Sequence, residues 1–265
     1  MTAPALVDLH CHFVPGVDDG ARDLAEAIAQ LVEYERQDIL TVVTTPHLAA
    51  SAATSAWRHE IEDSFAELAD GAAAECPAVD LGLSFEFRLD DPDADLGDRR
   101  IGLGAGGRLL VEFPMLAVPA YPERMLEVVL EADWIPVLAH PERYSGVERS
   151  YDWIWRWREM GALMCLNAGS LWGEHGGEAQ RVARRMLADG TADLVASDNH
   201  ARPNRAATVR QAWDYLAEAG CEEQATLLAA TNPAAVLDGE PLTPVPPCEP
   251  RSGWMNRLRR LVSGG

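Results

Sequence analysis

The sequence predicts an α/β fold in which seven parallel strands close into a TIM-like barrel, one unit short of the usual eight. Three observations carry that expectation. Short β-rich segments alternate with helix-patterned ones along the chain, as strand–loop–helix units require. The strand ends lie 26 to 40 residues apart, about the length of one such unit. The rival arrangement, an open doubly wound sheet, lacks its glycine-rich dinucleotide fingerprint here.

Taken in order, the expected strands are Ala5–Leu9, Thr41–Thr45, Leu81–Phe85, Leu109–Phe113, Ile135–Ala139, Leu163–Asn167 and Asp193–Ser197. The first helix, Asp23–Gln37, places Leu24, Ile28, Leu31 and Val32 at helical spacing with charges opposite. Similar patterns occupy Trp57–Leu68, Pro122–Ala132, Tyr151–Met160, Ala179–Asp189 and Asn204–Ala219. Residues 1–239 are thus expected to form one catalytic domain. Glu240–Pro250 then holds five prolines in eleven residues, the composition of a linker. In the final stretch, Arg251–Gly265, arginines at 251, 257, 259 and 260 stand without an acid, and Trp254, Leu258 and Leu261 share a helical face. That pattern suits a short helix for a membrane surface or a partner, or a frayed terminus.

Composition narrows the chemistry. A chain of 265 residues with 48% apolar content can bury one large core. A formal net charge of −20 argues against a grip on nucleic acid. All 22 basic residues are arginines, which excludes a lysine Schiff base or a P-loop lysine. Apolar runs are too short to span a bilayer and no signal core opens the chain. Cys11, Cys76, Cys165, Cys221 and Cys248 contain no CxxC pair, so neither a disulfide framework nor a thiolate zinc knuckle is expected, and a reducing cytoplasm suits the chain.

Barrel enzymes keep their active sites at the carboxyl ends of the strands, and there the residues speak together. The first strand leads into His10-Cys11-His12, whose alternation puts both imidazoles on one side. The second leads to His47, the third to Glu86, and the fourth carries Glu112 within an apolar run. The fifth ends at His140, the seventh at Asp198 and His200, and the sixth offers only Asn167. Five of the seven histidines therefore sit at strand ends, while His59 and His175 read as surface residues. Mixed imidazole and carboxylate ligands suit Mn²⁺, Zn²⁺ or Fe rather than Ca²⁺ or copper. In the turn Val14–Gly20, either Asp18 or Asp19 can swing back as a further ligand. Arg143 and Arg205 follow His140 and His200 closely, and a planar guanidinium suits bidentate phosphate binding or a salt bridge.

These residues, with Thr45-Pro46-His47, Val111-Glu112-Phe113-Pro114, His140-Pro141-Glu142-Arg143 and Ser197-Asp198-Asn199-His200, resemble the PHP (polymerase and histidinol phosphatase) superfamily from about Val7 to Arg205. Within it the chain is similar to the bacterial manganese-dependent protein-tyrosine phosphatases of the CpsB/YwqE type, linked to capsule and exopolysaccharide control. The resemblance implies a distorted seven-stranded barrel holding three divalent ions, manganese first, with zinc or iron as alternatives. It implies His10, His12, Glu86 and Asp198 around the first ion, Glu86, Glu112 and His140 around the second, and Asp19, His47 and His200 around the third. It gives Arg143 and Arg205 the phosphate. One departure stands out: the family's third-strand acid usually follows a glycine two residues earlier, where this chain has Ser84.

The expected reaction is metal-assisted hydrolysis of a phosphomonoester, on phosphotyrosine of a bacterial tyrosine kinase. His47, His200 or a water would protonate the leaving group. Histidinol phosphate or another small ester is the alternative substrate, with choice made by mouth loops such as Leu48–Ala56 and Trp172–Glu178; a non-catalytic binding module is the third reading. A cysteine-based route is excluded by inspection. It needs an arginine six residues after the cysteine, and those positions hold Val17, Gly82, Leu171, Leu227 and Trp254. The residues leave the oligomeric state open.

Overall fold

The computed structural model describes residues 4–52, 55–91, 93–202 and 205–249. Nine strand segments occur among them: β1 (Leu6–Cys11), β2 (Ile39–Thr44), β3 (His47–Ala49), β4 (Asp80–Leu83), β5 (Glu86–Arg88), β6 (Arg108–Glu112), β7 (Ile135–Ala139), β8 (Leu163–Asn167) and β9 (Leu194–Ala196). All named strand pairs are parallel, in one sheet ordered β1-β2-β4 and another ordered β3-β5-β6-β7-β8-β9. The two extra segments, β3 and β5, lie just beyond the ends of the expected strands Thr41–Thr45 and Leu81–Phe85 and continue them after a break. Pro46, which has no N–H to donate, separates β2 from β3, and Ser84-Phe85 separate β4 from β5. Single bonds carry the ladder across the breaks, from Ser84 N to Thr44 O (3.0 Å) and from Glu86 N to Pro46 O (3.1 Å). A parallel bridge between Cys11 and Asn199 joins the β1 end to the segment after β9.

The helices are α1 (Leu24–Arg36), α2 (Ser55–Glu75), α3 (Pro122–Glu131), α4 (Asp152–Glu159), α5 (Gly176–Asp189), α6 (Val209–Glu218), α7 (Glu222–Thr226) and α8 (Asn232–Asp238). Local chemistry starts several of them. Asp23 caps α1 by accepting from Glu26 N at 2.9 Å, and Thr208 and Gln211 form a capping box on α6. The helical patterns legible in the sequence end at α6. Beyond it, α7, a π-helical turn over Leu227–Thr231 and α8 are each too short to show a helical period. No helix among the described residues is long and apolar enough to cross a membrane.

The core divides by strand face. Leu6, Cys11, Val42, Leu109, Leu138 and Leu166 pack with residues of the surrounding helices. Val7, Leu9, Val43, Leu110, Val137, Cys165 and Leu194 form a second cluster, closed by Val236 of α8.

The proline-rich stretch does not hang free over its described part. Arg108 Nη2 donates to Glu240 O (2.6 Å), Asn232 Nδ2 to Thr243 O (3.0 Å) and Gln224 Nε2 to Pro246 O (2.9 Å). Cys248 N donates to Leu187 O at 3.0 Å, and Cys248 is disulfide-bonded to Cys221. This corrects the expectation drawn from cysteine spacing: one disulfide is present, because the strap returns 27 positions of chain to the start of α7. The arginine-rich tail from Arg251 onward lies outside the described residues.

Candidate metal centre

At the carboxyl end of β1 a register shift between Asp8 and Cys11 changes the strand's phase. Val7 and Leu9 point into the second core cluster, Cys11 points into the first, and His10 and His12 are left facing the other strand ends. Their Nε2 atoms lie 3.2 Å apart. Asp198 Oδ1 lies 3.6 Å from His10 Nε2 and 3.4 Å from His12 Nε2, and Glu86 Oε2 is 3.4 and 3.5 Å from the same atoms.

Three groups of donor atoms are close enough to share an ion: His10, His12 and Glu86; His12, Asp19, His47 and His200; and His47, Glu86 and Glu112. All nine residues expected as ligands therefore meet at one end of the strands, with His140 joined through Glu86 Oε1 at 2.8 Å. The grouping around Glu112 differs in detail from the set implied by the resemblance, since His47 rather than His140 completes it. Ser84, at the position that departs from the family, donates to Ile101 O at 3.0 Å and leaves Glu86 in the cluster.

The alternative between Asp18 and Asp19 is resolved by contact. Asp18 Oδ2 accepts from His12 Nδ1 at 2.8 Å, so it backs that imidazole rather than joining the donor groups. Asp19 Oδ1 lies 3.4 Å from His47 Nε2 and 3.3 Å from His200 Nε2. The turn between them needs Gly20, where a Cβ would come 2.1 Å from His12 O.

The donors are poised for a cation. His200 Nδ1 donates to the Asp198 carbonyl at 2.8 Å, which leaves Nε2 as a lone pair, and that atom is buried without a hydrogen-bond partner. Glu86 Oε2 is similarly buried and without a hydrogen bond. Burial opposes the charge of each imidazole, yet Asp18 and Asp198 hold His12 up at about 9, and Asp19 and Glu86 hold His47 up at about 11. Burial together with Glu86 pushes Glu112 up to about 8. Burial also drives His140 down to about 4, although Glu86 pulls the other way. A pocket where carboxylates repel one another and imidazoles are drawn to positive charge suits divalent ions of the N/O-preferring kind.

Other contacts hold the rim. Tyr144 Oη accepts from Phe113 N at 3.1 Å and donates to Ala139 O at 2.9 Å, tying the end of β6 to the end of β7. Arg143 Nη1 and Arg205 Nη2 both reach Asp198 Oδ2, the latter at 3.3 Å, and Arg205 Nη1 reaches Asp19 Oδ2 at 3.0 Å. The two cysteines nearest the site are buried free thiols: burial and then the Asp8 charge push the Cys11 thiol well up, and burial and then Glu142 do the same to Cys165.

One residue differs from expectation. His175, read from sequence as a surface residue, is half-buried, with Nδ1 3.3 Å from Ser170 Oγ, and Ser170 donates to the buried Glu142 at 2.6 Å. His59 lies exposed on α2, as expected. The backing role of Asp18 was legible only as one of two adjacent acids.

Known proteins are similar to this chain over most of its length. The tyrosine-protein phosphatase YwqE of Bacillus subtilis is 28% identical over 201 residues, 74% of this chain and 77% of its own. The tyrosine-protein phosphatase CpsB of Streptococcus pneumoniae is 26% identical over 239 residues, 88% and 98% of the two chains. A solved structure from work on YwqE and CpsB, described as metal-dependent tyrosine phosphatases, superposes with a TM-score of 0.76 at 26% identity, over 91% of this chain and 99% of that one. A lactonase of Listeria monocytogenes, at 12% identity and a TM-score of 0.55 over 88% of this chain and 94% of its own, shares the fold alone. The model of the family described as capsular polysaccharide synthesis, CpsB/CapC, matches residues 6–238, and the chain belongs to that family.

Proposed function

We propose that this chain is a metal-dependent protein-tyrosine phosphatase whose strands form a distorted seven-stranded barrel. The observation that supports this reading best is the meeting of two guanidiniums with the carboxylate–imidazole cluster at Asp198. Counting β2 with β3 and β4 with β5 as interrupted single strands leaves seven positions, and the Cys11–Asn199 bridge supports their closure.

In this reading His10, His12, Glu86 and Asp198 would hold one divalent ion, Glu86, Glu112 and His140 a second with His47 nearby, and Asp19, His47 and His200 a third. Manganese is the expected metal. Bound ions supply a deprotonated water near neutral pH and neutralise phosphoryl oxygens. Arg143 and Arg205 leave Asp198 to grip the phosphoryl group as it is attacked in line. The P–O bond to the tyrosyl oxygen breaks, giving inorganic phosphate and a phenoxide of pKa near 10 that takes its proton from water. We read His200 as a ligand rather than that proton donor, since Nδ1 meets the Asp198 carbonyl and Nε2 faces the donor cluster. Both nitrogens of His47 likewise face carboxylates.

The substrate is a phosphotyrosyl protein, in keeping with the relatives' names, the proposed partner is a bacterial tyrosine kinase of capsule or exopolysaccharide synthesis, and the proposed location of this chain is the cytoplasm. The test is metal analysis of the purified chain combined with hydrolysis of a phosphotyrosyl peptide and of histidinol phosphate, with and without Mn²⁺ and a chelator. Mn²⁺-dependent turnover of the peptide, abolished by chelation, is expected. Chelator-resistant turnover overturns the metal mechanism, and preference for histidinol phosphate overturns the substrate.

A further inference from the structure

We propose that Asn167 is a positioning residue that keeps the Asp198 carboxylate turned toward the donor cluster when Arg143 and Arg205 move onto phosphate. The inference rests on the reading of Asp198 as a metal ligand. Strand β8 is the one expected barrel strand that ends without an acid or imidazole, and its terminal side chain is nonetheless buried in the site, 3% exposed.

Asn167 Nδ2 donates to Asp198 Oδ2 at 3.0 Å. The amide's orientation is fixed by its other end, because Asn167 Oδ1 accepts from Gly169 N at 2.9 Å and only an oxygen can do so. The backbone is held as well, with Asn167 N donating to Glu142 Oε1 at 3.2 Å. Asn167 is therefore held by the scaffold at two points, which leaves Nδ2 aimed at Asp198. Asp198 itself adopts a left-handed φ of 52°, its N donating to His10 O at 2.8 Å and its carbonyl accepting from His200 Nδ1 at 2.8 Å.

The two oxygens of Asp198 divide their work. Oδ1 faces His10, His12 and His200 at 3.4 to 3.6 Å. Oδ2 receives Asn167 and Arg143, and Arg205 Nη2 straddles the carboxylate, 3.3 Å from Oδ2 and 3.4 Å from Oδ1. Phosphate competes for both guanidiniums, because it offers each a stronger, bidentate partner. The neutral amide has no such incentive to leave, and it remains as the fixed donor on Oδ2. An uncharged residue suits this role because it neither titrates nor follows the substrate's charge.

The experiment compares the wild type with Asn167→Ala and Asn167→Leu, the second keeping the side-chain volume so that the test survives if the first fails to fold. Mn²⁺ affinity is measured by calorimetry on the full chain, with and without saturating inorganic phosphate, beside kcat and KM for a phosphotyrosyl peptide. Loss of a hydrogen bond that orients a ligand is expected to weaken Mn²⁺ binding by about 10- to 100-fold. The loss should deepen when phosphate is present, since the arginines are then withdrawn; a purely structural role would leave it the same. Unchanged Mn²⁺ affinity in a folded variant overturns the inference alone, as does a loss indifferent to phosphate. A wild type that takes up no Mn²⁺ overturns the reading of the site and the inference with it.

Discussion

The two ends of the strands solve the same backbone problem differently. Where the chain leaves helices and enters strands it often needs a left-handed residue, and there it uses glycine or aspartate: Asp38, Gly107, Asp133, Gly161 and Gly190. Both residue types tolerate that conformation at little cost. At the opposite end glycines take that conformation too, at Gly16, Gly146, Gly173 and Gly176, but it also falls on Met115, Leu116, His140, Asp198 and Ala201. Buried polar atoms without a hydrogen-bond partner are more numerous at that end, although Arg108 Nε and Gln224 Oε1 at the other end also lack one. Of the nine buried side-chain atoms without a hydrogen-bond partner among the described residues, five belong to His47, Glu86, His140, Glu142 and His200. At the other end Asn232 bonds Asp193 O and both backbone groups of Thr243 at 3.0 Å. One end is built for stability, and the other stores strain and unmet valence for chemistry.

Asp198→Asn should test that division most severely. Removing a charge from the donor cluster is expected to cut kcat by about 10³-fold while the Tm moves by only a few degrees. A matching fall in Tm would mean that Asp198 serves the fold. Arg205→Ala is expected to lower kcat/KM by about 10- to 100-fold, mainly through KM, because a charge-assisted contact to phosphate is lost. Should KM stay constant, the guanidinium is a partner for Asp198 and Asp19 alone.

The quiet end predicts the reverse pattern. Arg108→Ala removes donors from the carbonyls of Gly106, Val236 and Glu240. The expected cost is about 1–3 kcal/mol, read as a Tm lower by about 2–4 °C per kcal/mol, with kcat intact. A drop in kcat at unchanged Tm would show the two ends to be coupled. The smallest effect is expected at Met115, 93% exposed with a φ of 61° on the loop after Glu112. Met115→Gly should relieve the strained backbone and raise stability by about 1 kcal/mol, and a fall in Tm would remove it from the strained set.

Seven strand regions and the nine ligand candidates are legible in the sequence because both leave local marks. Period-2 apolar runs are visible in five residues, and a histidine or acid at the end of such a run is conspicuous. The bond from Asn167 to Asp198 is not legible there, since a neutral amide carries no sign of what it faces 31 positions away. Nor are the places of His175 and the strap: a glycine-rich loop and a proline-rich run read alike whether free or docked.

The order of elements, the inventory of metal-binding side chains and the absence of a catalytic cysteine were thus determined by the chain alone. Which acid of Asp18 and Asp19 enters the cluster, how the donors divide into groups, and which oxygen of Asp198 meets the arginines were decided only by the tertiary structure. The reason is geometric: a side chain's identity is local, but a coordination site is a set of distances among atoms brought together by every strand at once.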